Sequence, residues 1–190
     1  MANYELAAKY PLDGVTRKTE GTFLTEITGK ALVSVATPLG GEKNLKAAFA
    51  KSYKAKIPKV GHSTTSSIDN ARLLGLQADQ LFLYFDHEND EAVSHVTGKL
   101  GETGYYTDQS DSWVMLEFGG PKCHQALERI CGLDLHPDVF VEGAVSRTMM
   151  EHMGVIILRS GIDEFTLFSA RSSAKSFYHA IETSIANISD

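Results

Sequence analysis

Long apolar runs, a disulfide-forming cysteine pair and an excess of positive charge are all missing from this sequence. Its apolar runs end at the length of a strand, as in LFLYF (81–85) and VIIL (155–158). No segment therefore approaches the roughly 20 apolar residues of a membrane helix. The net charge is −6, which argues against binding to nucleic acid or to an anionic membrane, because both require a basic face.

Cysteine is scarce, and its two copies are badly placed for a disulfide. Cys123 and Cys131 are eight residues apart on one predicted helix, which separates them by about 12 Å. Reduced thiols favour the cytoplasm. The first residues, MANYELAAKYPLDG, carry scattered charges and no apolar segment, so we expect no secretory signal peptide.

Recognisable catalytic and metal-binding motifs are also absent. The seven histidines form no zinc-type pair, and the cysteines form no CxxC knuckle. The double glycines Gly40–Gly41 and Gly119–Gly120 match no nucleotide-binding pattern, so we interpret them as tight turns. The Ser/Thr segment 61–67 has no local base and is predicted to be a flexible loop. Cys123 falls in the first turn of a helix, where a thiol can become reactive, but its place on the apolar stripe favours packing.

The pattern that is present predicts an α+β fold built from two similar halves. Residues 1–20 show no periodicity and are interpreted as an N-terminal arm, followed by one domain over residues 21–190. Strand-like and helix-like periods alternate as β-α-β-β-α, twice, with a spacing of roughly 80 residues. We place the halves at about 21–104 and 105–190, each an antiparallel sheet with helices on one face, sharing one core. The helical periods cover 40–54, 86–100, 121–131 and 172–188.

Three side chains stand out within apolar strands. Trp113, the only tryptophan, is predicted to be buried at the heart of the second half. Arg147 in AVSRT and Arg171 in LFSARSSA place a charge where desolvation is costly unless a partner compensates for it. An internal carboxylate, a partner chain and a bound anion all remain open as that partner.

The second half also resembles a known family. The segments DQSDSWV, CGLDLHPDVF, GAVSRT and ARSSAKSFYH resemble the gamma subunit of heterotetrameric sarcosine oxidase. The resemblance implies a fold related to the folate-binding domain of aminomethyltransferases. It also implies a place in a complex that oxidatively demethylates sarcosine to glycine, giving hydrogen peroxide and either formaldehyde or 5,10-methylenetetrahydrofolate.

The resemblance further implies where the cofactors and partners lie. Alpha, beta and delta subunits are the expected partners, and they are expected to hold FAD, FMN, NAD, zinc and tetrahydrofolate. The gamma chain itself is expected to have no catalytic residue, cofactor or metal, and to act in structure and assembly. The residues expected at the subunit interface are His136, Phe140, Arg147, Thr148 and Arg171.

Two other functions fit the same residues. A gamma-like subunit of an N-methylglutamate dehydrogenase complex has a similar sequence pattern. A free-standing folate-binding protein of the T-protein-like fold is an alternative from a different class. The absence of the K-G-C-Y-x-G-Q-E type signature argues against the iron–sulfur maintenance branch of that second alternative.

Overall fold

The computed structural model describes residues 9–88 and 90–188. The strands are β1 Thr16–Lys18, β2 Phe23–Glu26, β3 Lys30–Ala36, β4 Ser63–Ser66, β5 Ala71–Gly75, β6 Gln80–Asp86, β7 Tyr105–Asp108, β8 Trp113–Gly119, β9 Val145–Met150, β10 Met153–Gly161 and β11 Glu164–Ala170. The α-helices are α1 Glu42–Ser52, α2 Ala92–Leu100, α3 Cys123–Glu128 and α4 Ala174–Ala186. Among these helices, none is long and apolar enough to cross a membrane.

The strands form two antiparallel sheets. One has six strands in the order β1-β2-β8-β11-β10-β9, and the other has five in the order β4-β5-β6-β3-β7. The predicted α+β class with antiparallel sheets is confirmed. The turn predicted between the last two strands joins β10 to β11, with Gly161 opposite Glu164.

Corresponding elements of the two sheets recur at a nearly constant spacing. Ser63 and Val145, which begin β4 and β9, are 82 residues apart, and so are Ala92 and Ala174, which begin α2 and α4. The first strand of each repeat lies in the sheet of the other repeat. Strand β2 pairs with β8 of the second repeat, and β7 pairs with β3 of the first. The exchange ties the two sheets together covalently. The boundary near residue 104 stays a prediction.

Side chains alternate across each sheet, which divides the core into three apolar layers. Odd positions of β8 such as Met115 face the second sheet, whereas Val114 and Leu116 face α3 and α4. Between the sheets, Tyr84 and Phe168 meet edge to face with ring centroids 5.5 Å apart. The order of layers is therefore helix, sheet, sheet, helix, and the halves share the middle apolar layer as predicted.

The helices follow their apolar stripes but differ from the predicted bounds. Leu45 and Phe49 bury one face of α1, with Glu42 in its first turn and Lys51 in its last, where each charge suits the helix dipole. The helix predicted over 121–131 is only α3, Cys123–Glu128. It ends early because Cys131 leaves the helix to form a β-bridge with Met150. The helix predicted over 86–100 begins only at Ala92, because Asp86 completes β6.

The Ser/Thr segment predicted as a flexible loop contains a strand, so that prediction is wrong for residues 63–66. These residues form β4, which pairs with β5 from Ser63 opposite Leu74 to Ser66 opposite Ala71. An edge strand needs backbone partners more than apolar side chains. Its short polar sequence therefore gave no local signal.

The N-terminal arm is also more structured than expected over its described residues. Thr16–Lys18 form β1, which pairs with β2. The backbone amides of Leu12 and Gly14 donate hydrogen bonds of 3.0 and 2.7 Å to the carboxylate of Glu26, which is 4% exposed. A buried carboxylate thus holds residues 12–14 against the domain. Residues 1–8 lie outside the described part of the chain.

Candidate functional site

Among the charged residues that the structure describes, Arg159 in the apolar strand β10 is the most completely enclosed. Its side chain is 2% exposed. The guanidinium donates to the carbonyls of Leu135 at 3.3 Å, Phe140 at 3.0 Å and Gly161 at 3.2 Å, and also to the carbonyl of Ile162. A buried cation is tolerated when its N–H groups are satisfied in this way. Arg159 therefore fastens the loop before β9 to the β10–β11 turn.

Phe140, one of the residues predicted at the subunit interface, lies on the inner side of that loop. Its side chain is 8% exposed and belongs to the apolar layer between the six-stranded sheet and its helices. A role for Phe140 at the subunit interface stays a prediction, but its side chain is buried within the chain itself. The physical reason is that Arg159 binds the Phe140 carbonyl and draws this part of the loop inward.

The loop and the adjoining edge strand expose other apolar side chains. Val139 is 63% exposed, Val141 46% and Met149 57%. His136 is also exposed, 3.6 Å from the carboxylate of Asp138. We name residues 136–149 the loop–edge surface. It combines apolar groups on a fixed backbone with the last strand of a sheet, which is a suitable geometry for docking a protein partner.

Arg147 and Thr148, the two predicted interface residues in β9, lie on this surface, and neither is fully buried. Arg147 is exposed, with its guanidinium 5.6 Å from the ring centroid of Phe82. Thr148 is half-buried and forms a hydrogen bond with Cys131, whose thiol pKa is raised by burial. The expectation that Arg147 sits in a dehydrated position is wrong, because β9 is an edge strand.

Arg171 lies away from the loop–edge surface. It follows the end of β11, whereas the loop packs beside the start of β11 at the other end of the strand. Its guanidinium pairs with Asp111 at 3.2 Å and donates to the carbonyl of Lys9. The internal carboxylate is thus the partner that the structure supplies for Arg171. A role for Arg171 in docking stays a prediction.

A group of potential metal ligands lies next to Arg159. Ligand atoms of Cys123, His124 and Asp163 all lie within 4.8 Å of one another. However, Nη2 of Arg159 is 3.2 Å from Nε2 of His124, and burial raises the pKa of the Cys123 thiol to about 12. A neighbouring cation and a protonated thiol both oppose a divalent metal. Cys123 packs as a buried hydrophobe and lacks the exposure of a reactive cysteine.

A cleft of about 540 Å³ separates the arm from the ends of both sheets. Tyr10, Lys30, Trp113 and Arg171 contribute to its walls. Trp113 is half-buried here, so its predicted place at the heart of the second half is corrected. It begins β8, and its indole Nε1 is enclosed without a hydrogen-bond partner among the described residues.

Trp113→Ala is expected to lower the free energy of unfolding by about 1–2 kcal/mol, less than the 3–5 kcal/mol typical of a fully buried aromatic. The reason is that part of the indole already faces the cleft. Urea unfolding of the variant and acrylamide quenching of the wild-type tryptophan provide the measurements. A loss above about 3 kcal/mol, or complete protection from quenching, would instead place Trp113 in the core.

Arg159 was overlooked in the sequence although a signal for it exists. The criterion that selected Arg147 and Arg171, a charge within an apolar strand, applies equally to VIILRSG. The strand alone does not tell which of the three arginines is buried. Neighbouring strands and the loop before β9 decide that, since they supply the carbonyl acceptors.

Curated relatives of this chain include gamma subunits of sarcosine oxidase. No protein-family model matches the chain. Sarcosine oxidase subunit gamma of Corynebacterium sp. (strain P-1) is 26% identical over 134 residues, which are 70% of this chain and 66% of the relative. The subunit gamma of Arthrobacter sp. is 27% identical over 116 residues, 60% of this chain and 57% of that relative. The chain is similar to sarcosine oxidase gamma subunits. The matches span two thirds or less of the length of these relatives.

Solved structures agree on the fold. A chain of the heterotetrameric sarcosine oxidase from Corynebacterium sp. U-96 superposes with a TM-score of 0.76 at 23% identity, covering 89% of this chain and 86% of that one. The glycine cleavage aminomethyltransferase T of Bartonella henselae gives a TM-score of 0.61 at 18% identity, covering 85% of this chain and 45% of that one. The predicted relation to the aminomethyltransferase fold is confirmed.

Proposed function

We propose that this chain is the gamma subunit of a heterotetrameric sarcosine oxidase and serves its structure and assembly. The observation that carries the proposal is the similarity to named gamma subunits over 70% of the chain. In this role it joins alpha, beta and delta subunits in the cytoplasm. Those subunits hold FAD, FMN, NAD, zinc and tetrahydrofolate, and the complex converts sarcosine to glycine with release of hydrogen peroxide.

The loop–edge surface is the part of the chain that we assign to docking. Its backbone is fixed by Arg159, so little conformational entropy is lost on binding. Val139, Val141 and Met149 supply apolar area, and Arg147 supplies a cation of the type enriched at interfaces. A carboxylate on a larger subunit is the complementary group that we expect opposite Arg147.

Arg147→Glu is expected to leave the isolated chain folded and to weaken assembly by about 2–5 kcal/mol, because an interfacial carboxylate then meets a like charge. Co-expression with the flavoprotein subunits and pull-down measure assembly, and circular dichroism of the variant alone measures folding. Arg129→Glu is the matched control, since Arg129 is exposed on another part of the chain. Equal assembly by the two variants would remove Arg147 from the interface.

The same preparations separate this function from its rivals. The assembled complex should oxidise sarcosine, whereas the chain alone should show neither flavin absorbance nor turnover. Oxidation of N-methylglutamate in preference to sarcosine would favour the dehydrogenase complex. Stoichiometric binding of tetrahydrofolate by a chain that joins no flavoprotein would favour the free-standing folate-binding protein.

A further inference from the structure

One end of the layer between the two sheets is polar. The alternation that points Leu158 and Phe168 toward the opposite sheet also points Ser160 and Glu164 there. The same alternation on β5 directs Arg72 inward, two residues before Leu74. These polar groups line a cleft of about 560 Å³, together with Tyr84 and Glu117. We name this site the inner cleft and define it by five residues: Arg72, Tyr84, Glu117, Ser160 and Glu164.

Arg72 supplies a positive charge that has no direct partner in the described part of the chain. Its Nε is enclosed without a hydrogen bond, and no ion pair within 4.0 Å joins its guanidinium to a described carboxylate. Burial lowers the pKa of Arg72, while the charges of Glu142 and Glu164 oppose that effect. Because a guanidinium stays protonated in proteins, its enclosed N–H is a donor without an acceptor. A carboxylate can accept two parallel bonds from such a group.

A pair of carboxyl groups faces the same cleft. The pKa of Glu117 is raised by burial first, then by the negative charge of Glu164 and by a hydrogen bond with Glu164. The positive charge of Lys30 opposes this rise, but its ammonium is engaged by Asp86. The carboxyl group of Glu117 therefore loses its proton at a higher pH than an ordinary glutamate does, and Glu164 then stands beside a second negative charge. Such a pair attracts an ammonium group.

Ser160 adds a further hydrogen-bonding group. Its Oγ is enclosed and has no partner among the described residues. Buried polar atoms in folded proteins are normally paired with protein, water or ligand. Arg72 and Ser160, which come from different sheets, thus place unpaired polar groups in the walls of one cleft.

We propose that the inner cleft binds a small zwitterion of the α-amino acid class, with its carboxylate on Arg72 and its ammonium on Glu117 and Glu164. The carboxyl pair disfavours a multiply charged anion such as phosphate, and Arg72 disfavours a simple cation. The cleft lies in the size range of small-molecule sites. The site goes beyond the proposed assembly role and does not depend on it.

The test is calorimetric titration of the purified chain with glycine, acetate and methylammonium. Glycine carries both charged groups, whereas each of the other two probes carries one. Glycine is expected to bind at least about tenfold more tightly than either, since each charge-assisted hydrogen bond is worth about a factor of ten or more. Absence of heat with glycine, or equal binding of acetate, would overturn the proposal.

Variants locate the binding in the cleft. Arg72→Gln and Glu164→Gln are each expected to weaken glycine binding by about tenfold or more, whereas Arg129→Gln and Glu20→Gln, at exposed positions, should leave it unchanged. Ser160→Ala provides a milder change if the charged variants fail to fold. Unchanged glycine binding by all three cleft variants would place the site elsewhere and refute the assignment.

The pH dependence provides an independent readout. As pH rises through the raised pKa of Glu117, the carboxyl pair gains negative charge, so the affinity for glycine should increase. Glu117→Gln should abolish that increase while acetate binding changes little. A pH-independent affinity in the wild-type chain would contradict the role of the carboxyl pair.

Discussion

Replacing Arg159 by methionine is expected to lower the free energy of unfolding by at least about 3 kcal/mol. Methionine keeps most of the apolar stem but removes every N–H that binds the carbonyls of Leu135, Phe140, Gly161 and Ile162. A buried polar group without its partner costs about 1–3 kcal/mol, and several carbonyls lose their donor together. Urea unfolding followed by circular dichroism measures the change.

Arg129→Met is the control for Arg159→Met, because Arg129 is exposed and its loss should change stability by no more than about 0.5 kcal/mol. The Arg159 variant should also assemble poorly, because its loop no longer holds Val139 and Val141 in place. A stability within about 1 kcal/mol of wild type would mean that water replaces the guanidinium without loss.

Gly120→Ala is expected to destabilise the fold by about 3–5 kcal/mol. Gly120 has φ +106, a conformation that other residues rarely adopt, and an added Cβ would lie 2.5 Å from the carbonyl oxygen of Gly21. Backbone strain of this kind costs about 1–3 kcal/mol, and the steric clash adds a similar amount. The clash involves backbone on both sides, so it cannot be relieved by a side-chain rotation.

The other double glycine offers a matched control. Gly40 has φ +74, but an added Cβ there meets no atom within 4 Å. Gly40→Ala should therefore cost only the conformational term of about 1–2 kcal/mol. Thermal and urea unfolding of both variants test the difference. Equal losses would show that φ alone matters and that the Gly21–Gly120 approach is unimportant.

The candidate docking surface was only partly predictable from its residues. The segment around His136 and Arg147 is on the surface as expected, because a Pro-containing loop and an edge strand are solvent-facing structures. Phe140 and Arg171 were assigned to the same surface, yet the first is in the core and the second pairs with Asp111. Sequence neighbours do not tell which side of a loop faces inward.

The inner cleft gave no signal in the sequence. Arg72, Glu117 and Glu164 are far apart along the chain and come from three different strands. Each alone is an ordinary charged residue next to apolar neighbours. Their shared position depends on the register of both sheets, and register is fixed by pairings that the local sequence does not specify.

The sequence by itself determined the alternation of strands and helices, the repeat of roughly 80 residues and the apolar faces of the helices. These features depend on periodicity and turn residues, which act over a few neighbouring positions. The tertiary structure alone decided the exchange of β2 and β7 between sheets, the strand formed by Ser63–Ser66 and the burial of Arg159. Each of these depends on backbone groups brought together from distant segments, and the free energy of such contacts has no local signature.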